Sequence, residues 1–144
     1  VHENNIVHCD IKPNNILISN EGSAILTDFG SALYLNNLGN ARLKNVYYKH
    51  IAPEQCTNST INKKIDIYQI GTTLYRLCNG NEEYNKQARR YKDLNSLKIA
   101  CAKGKFPIRK KYLPHIPKEM INIIEKCINV NVFASFNKII RSYI

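Results

Sequence analysis

The sequence lacks the marks of several protein classes. No two of its five cysteines, Cys9, Cys56, Cys78, Cys101 and Cys127, stand at C-x-x-C spacing, and their number is odd. Neither a zinc-binding pair nor a disulfide framework is therefore expected, and the cysteines read as reduced intracellular thiols. No apolar run approaches the roughly 20 residues that span a bilayer, and no charged-then-apolar leader opens the chain. A soluble, cytoplasmic protein with no membrane partner is expected. Acidic residues are scarce, 11 against 21 basic ones, giving a net charge of +10 and a pI near 9.5. Such a surplus suits an anionic partner. Yet no groove-reading helix, zinc motif or basic and aromatic strand pattern accompanies it, which argues against nucleic acid. Richness in asparagine, isoleucine and lysine points instead to an AT-rich coding sequence as the source of the charge. Repeats and low-complexity tracts are missing too, as is an initiating methionine, so further chain upstream of Val1 is expected.

What is present matches one ordinary domain: 144 residues, 44% of them hydrophobic, enough for a core. From Asn5 to Thr27 the apolar runs are short and separated by turn formers, as in "SNEGS" at 19 to 23, which predicts small strands around loops. After Pro53 the period lengthens. "INKKIDIYQIGTTLYRLCNG" (61 to 80) is apolar nearly all round, as in a helix buried at a domain centre. Shorter helices are predicted at 94 to 104, ending at Gly104, and in "PKEMINIIEKCIN", with Pro117 in its first turn. A last amphipathic piece runs from about Phe136 to Ile144. The polar stretches at 33 to 50 and 81 to 93 read as long loops.

The densest chemistry lies in "NNIVHCDIKPNNILI" (4 to 18), where His8, Asp10, Lys12 and Asn15 share one loop. Each side chain alone is an ordinary polar loop residue, and His8 alone reads as a satisfied structural histidine. The downstream spacing decides otherwise. Asn15 follows Asp10 by five residues, Asp28 of "TDFG" follows it by eighteen, and Ala52-Pro53-Glu54 comes next. Asp66 lies twelve residues after Glu54, and Gly71 five after Asp66. This order resembles the signature of the protein kinases, with "KPNN" placing Lys12 where serine/threonine kinases carry lysine. The resemblance implies a mainly α fold with a few short β-strands, a kinase-like C-terminal lobe lacking the N-terminal lobe. In that fold, 8–15 form the catalytic loop, 28–54 the activation segment and 61–144 a helical subdomain.

Phosphoryl transfer needs positioned oxygens, a cation and a carboxylate near the acceptor hydroxyl. By resemblance, Asp10 orients that hydroxyl and accepts its proton, Lys12 contacts the transferring phosphate of ATP, and Asn15 and Asp28 hold Mg2+. Supports follow: His8 within the loop, Phe29 packed on the core to aim Asp28, Gly30 to let the backbone turn, Glu54 of A-P-E, and Asp66 accepting hydrogen bonds from catalytic-loop amides. A protein substrate or a partner kinase is the implied partner.

Departures from the family pattern shape the functional reading. Cys9 stands where most members carry an arginine that meets a phosphorylated residue. Between Gly30 and Ala52 the only hydroxyl side chains are Ser31, Tyr34, Tyr47 and Tyr48, so a phosphorylated threonine is not the switch. Tyr47 replaces the threonine that bridges the catalytic Asp and Lys. In "CINVNVFAS", Asn131, Val132 and Ser135 replace an Asp-Pro-x-x-Arg run, and Glu54 is expected to lack its arginine. Removing one member of a buried pair costs about 3–5 kcal/mol of the roughly 5–15 kcal/mol that holds a domain together, so a marginal fold is expected. Residues 1–144 include no glycine-rich loop, strand lysine or adenine-binding hinge, so the chain alone is expected to bind ATP weakly and to have negligible activity. Three classes follow: the C-terminal part of an ATP-dependent serine/threonine kinase, a non-catalytic kinase-like interaction module or decayed kinase, and a basic nucleic-acid binder.

Overall fold

The computed structural model describes residues 1–42, 50–57, 60–109 and 112–129. Tyr47, Tyr48, the run Asn131–Ser135 and the expected helix at 136–144 lie outside the described residues.

Short apolar pairs and triplets bounded by turns form short strands. β1 (Ile6–Val7) pairs with β4 (Leu33–Tyr34), β2 (Ile16–Ile18) with β3 (Ala24–Leu26), and β5 (Ala41–Arg42) with β6 (Thr60–Ile61), all antiparallel. In the β2–β3 hairpin Ile16 faces Leu26 and Leu17 faces Ile25. Its "SNEGS" turn closes through the Ser19 N–H on the Ser23 carbonyl at 2.8 Å, with Gly22 at φ +83 where a side chain would be strained. The hairpin fixes the catalytic-loop end to the Asp28 turn, because Asn15 and Thr27 become neighbours across it.

The remainder is helical: α1 (Pro53–Thr57), α2 (Lys64–Asn79), α3 (Asn81–Ala88), α4 (Leu94–Ala102) and α5 (Lys118–Ile128). α3 occupies much of the 81–93 stretch read from sequence as loop. Its polar sequence hid two features: Glu82 and Glu83 in the first turn with Lys86 in the last complement the helix dipole, and Tyr84 and Gln87 are buried. α4 starts at a reciprocal cap in which the Asp93 carboxylate accepts from the Ser96 N–H at 2.7 Å and the Ser96 hydroxyl accepts from the Asp93 N–H at 3.2 Å. Pro117 stands one residue ahead of the first turn of α5 as its N-cap.

α2 is the centre, and α5 is packed along it through Ile124, Cys127 and Ile128. Gly71 permits that approach: a Cβ there would lie 2.6 Å from Cys127 Cβ and 2.8 Å from Ile128 Cγ1. The all-round apolar burial expected of α2 does not hold. Ile70 and Leu77, seven residues apart on one face, are exposed, Leu77 at 63%, while Asp66, Gln69, Thr72, Thr73 and Asn79 are buried. The helix buries polar side chains because they satisfy backbone groups of the loops around it, a task apolar residues cannot perform.

Candidate active site

The site is assembled on that polar face of α2. Asp66, 1% exposed, accepts the His8 N–H on Oδ2 and the Cys9 N–H on Oδ1, each at 2.8 Å. His2 Nε2 lies 2.8 Å from the same Oδ2. One turn later Gln69 accepts from the Ile11 N–H at 2.9 Å and donates to the Cys9 carbonyl at 2.8 Å and the His50 carbonyl at 3.4 Å. A further turn on, the Thr73 hydroxyl donates to the Ile11 carbonyl at 3.3 Å. Residues 66, 69 and 73 share one helix face, so the backbone from His8 to Ile11 is fastened on both sides of Asp10. Cys9 adopts φ +66, a left-handed geometry costly for a non-glycine residue. The paired bonds to Asp66 hold it there. Burial, then the charges of Asp66 and Asp10, push the Cys9 thiol up to about 12, so it stays a neutral side chain.

Asp10 is gripped on one oxygen only. The Lys12 ammonium donates to Oδ2 at 2.7 Å and the Asn15 amide donates to it at 3.1 Å, while the same amide holds the Asp10 carbonyl at 2.9 Å. Oδ1 is buried with no hydrogen-bond partner among the described residues. The Asp10 N–H donates to His8 Nδ1 at 3.3 Å, and His8 Nε2 donates to the Thr27 carbonyl at 3.0 Å. Together these two bonds require the proton on Nε2. His8 thus ties the catalytic loop to the residue preceding Asp28. Thr27 completes the tie, donating from its N–H at 2.8 Å and its hydroxyl at 3.1 Å to the Asn15 carbonyl.

Asp28 is exposed and left-handed, φ +63, a conformation that aspartate tolerates better than most residues. Among the described residues its Oδ1 accepts one long bond, 3.4 Å, from the Gly30 N–H. One expectation for its neighbours needs correction. Phe29 does not pack into the core: it is 48% exposed and touches the His8 ring edge-on, centroids 4.8 Å apart. Gly30 has no positive φ, the left-handed residue being Asp28, and a Cβ on Gly30 would sit 3.3 Å from Asp28 Oδ1, a tight approach to a mobile carboxylate. Glu54 lies on α1, where burial raises its carboxyl above the usual range and a backbone hydrogen bond and the charge of Lys64 partly offset that. Its expected arginine position lies outside the described residues.

Asp28 and Asn15 fit a magnesium ion. Asn15 spends its NH2 on Asp10, which leaves its carbonyl oxygen as a hard donor, and the Asp28 carboxylate is nearly unengaged. Magnesium takes one or two protein oxygens and fills the remaining positions with water and phosphate oxygens.

Sequence reasoning missed Gln69, Thr73, Thr27 and His2 as supports. Gln69 and Thr73 carried a usable signal, since both lie at helical spacing from Asp66 on one face; Thr27 and His2 act through contacts that only the folded chain creates.

A model of the protein kinase domain matches residues 1–136. The chain is 35% identical over 129 residues to the serine/threonine-protein kinase PrkC of Bacillus subtilis (strain 168), covering 87% of this chain and 19% of that protein. It is 31% identical over 134 residues to the serine/threonine-protein kinase Nek1 of Mus musculus, 91% of this chain and 10% of Nek1. Over 82 residues it is 43% identical to the serine/threonine-protein kinase Nek5 of Homo sapiens, 54% of this chain and 11% of Nek5. The chain thus spans from a tenth to a fifth of the length of these relatives. A family match over nearly all its residues, resting on the loop, hairpin and helix just described, makes the chain a member of the protein kinase domain family.

Proposed function

We propose that the chain supplies the acceptor-hydroxyl and metal-binding half of an ATP-dependent serine/threonine protein kinase. One observation carries this reading. Asp10 has one oxygen saturated by Lys12 and Asn15 and the other unfilled, although a buried acceptor left unsatisfied costs about 1–3 kcal/mol. Such an arrangement is retained where a hydroxyl donor is to arrive. The grip of Lys12 and Asn15 on Oδ2 fixes the carboxylate plane, so Oδ1 would meet the incoming O–H and take its proton as the oxygen bonds to the γ-phosphorus and the bond from that phosphorus to the bridging oxygen breaks, releasing ADP. Lys12 stands within the same cluster to neutralise charge on the phosphoryl oxygens. Asn15 and Asp28 would hold Mg2+, which supplies charge neutralisation at the nucleotide phosphates when bound. His8, Thr27 and Asp66 hold these groups in register.

Alone, the chain binds ATP weakly and transfers little phosphate, because its groups form one wall of a cleft. The β2–β3 hairpin exposes Leu17 and its cross-strand partner Ile25 on one face and Ile18, 68% exposed, on the other, which supports a further reading in which this hairpin packs on another polypeptide. That occupant is a partner kinase or substrate if the chain acts as a non-catalytic module. Five thiols without a disulfide favour action in the cytoplasm. The test is magnesium-dependent binding of a fluorescent ATP analogue to the purified chain. Weak binding abolished by Asp28→Asn supports the assignment; equal binding by the variant contradicts it. Robust phosphate transfer by the chain alone would overturn the expected dependence on a second lobe.

A further inference from the structure

Beyond the catalytic cluster, α2 carries a second polar group whose charge the fold does not neutralise. Arg76 is half-buried, donates from Nε to the Asn81 side chain at 2.7 Å, and places Nη1 in hydrogen-bond contact with His50 Nε2. Its guanidinium carbon lies 5.2 Å from the centroid of the Tyr84 ring, which also stacks on His50 with centroids 6.3 Å apart and planes 13° from parallel. No carboxylate lies within ion-pair distance of Arg76 among the described residues. A planar guanidinium fixed by an aromatic face and a neighbouring imidazole, with no acid to meet it, is a prepared anion receptor.

Its position relates it to the acceptor site. Gln69 bonds both residues that flank Asp10 and also the His50 carbonyl. Arg76 lies seven residues further along α2, so it is on nearly the same face and about 10 Å along the axis. An extended peptide covers about 3.3 Å per residue, so a peptide running along α2 from the Asp10 end would span that axial offset in about three residues. Tyr84 also lines a cleft of about 680 Å³ between α3 and α4, with Ala88, Leu97, Phe106, Glu82 and Arg89 in its wall.

We propose that Arg76, held by His50 and Tyr84, recognises an anionic side chain of the acceptor peptide about three residues from the phosphorylated hydroxyl. The inference rests on the kinase reading of Asp10 for its choice of ligand. The shared chemistry is a carboxylate or phosphate oxygen on a peptide.

The test is fluorescence anisotropy of labelled serine peptides with the purified chain, aspartate being moved through successive positions on either side of the serine. One position should raise affinity about two- to fivefold over alanine, the range of a partly exposed charge pair. Phosphoserine at that position shows whether a monoanion or a dianion is preferred. Arg76→Gln should erase the preference, Arg76→Lys should keep part of it, and Arg76→Glu should transfer it to a lysine peptide. Circular dichroism identifies any variant that has failed to fold, and the remaining variants decide. Equal binding of aspartate and alanine peptides at every position, an unchanged preference in Arg76→Gln, or no peptide binding at all overturns the proposal. Nucleotide binding is measured in parallel. Nucleotide binding without acidic preference removes only this inference, whereas acidic preference without magnesium-dependent nucleotide binding removes the kinase reading and leaves the anion site.

Discussion

Replacing Asp66 by alanine separates two roles for this carboxylate. As a charge near the start of α2 it is worth about 0.3–1 kcal/mol through the helix dipole. As the anchor of the catalytic loop it accepts the buried His8 and Cys9 amides at 2.8 Å each. Stranding a buried donor costs about 1–3 kcal/mol, so Asp66→Ala loses about 2–6 kcal/mol, a large part of the roughly 5–15 kcal/mol of a typical domain. With a urea slope of about 1–3 kcal/mol per molar, the unfolding midpoint should fall by about 2 M. Asp66→Asn keeps one acceptor oxygen and should lose about half as much. Amide hydrogen exchange adds a local readout, because protection at His8 and Cys9 should collapse in Asp66→Ala before that of α5. Glu119→Ala, an exposed first-turn acid on α5, is the control for the dipole contribution. If Asp66→Ala costs no more than this control, and the two amides remain protected, the loop is not anchored as described.

Three further outcomes follow from the packing and the ionisation of buried groups. Gly71→Ala should destabilise the fold by about 1–3 kcal/mol in urea unfolding, because the new methyl meets α5, although alanine is the better helix former; a gain in stability would mean that α2 and α5 are not in contact there. Burial raises the Glu54 carboxyl in the folded chain, so the folded state holds that proton more tightly than the unfolded one. Its contribution is full below the unfolded carboxylate range and is lost as pH rises through the folded value. Glu54→Gln should therefore be more stable than the parent near neutrality, with the gap closing in acid; a gap that widens in acid refutes the sign. Burial pushes Cys9 and Cys101 up to about 12 and Cys127 to about 11. At pH 8 a thiol of pKa 12 is ionised in about one molecule in ten thousand, so these three should alkylate only after unfolding, and rapid labelling of the native chain would contradict their burial.

The grouping of Asp10, Lys12 and Asn15 in one loop and the central helix were legible in the sequence because both obey fixed spacings: five residues from Asp10 to Asn15, and helical periodicity over α2, although the helix begins at Lys64 and Ile61 lies in β6. Less legible was what α2 buries. Apolar periodicity marks Ile70 and Leu77 as core, yet they are exposed and Asp66, Gln69 and Thr73 are inside. A buried polar side chain is favoured only when a partner backbone arrives, and that partner comes from a loop some 60 residues away. α3 was hidden for a related reason. "NEEYNKQA" has only Tyr84 and Ala88 to suggest an apolar face, and the helix is secured by Gln87, whose amide donates to Tyr75 Oη at 2.9 Å and whose oxygen accepts from the Ile108 N–H at 2.8 Å. Phe29 rests edge-on against His8, twenty-one residues away in sequence, a contact that no local pattern encodes.

Paramagnetic broadening by Mn2+, added with ATP to the isotopically labelled chain, addresses the metal site itself. If Asn15 and Asp28 share the ion, the amide signals of Asn15, Thr27, Asp28 and Gly30 should broaden first, those of Asp10 to Lys12 next, and the effect should vanish in Asp28→Asn. Broadening that spares the hairpin and the loop, or that persists unchanged in Asp28→Asn, would show that these side chains do not hold a nucleotide-bound metal.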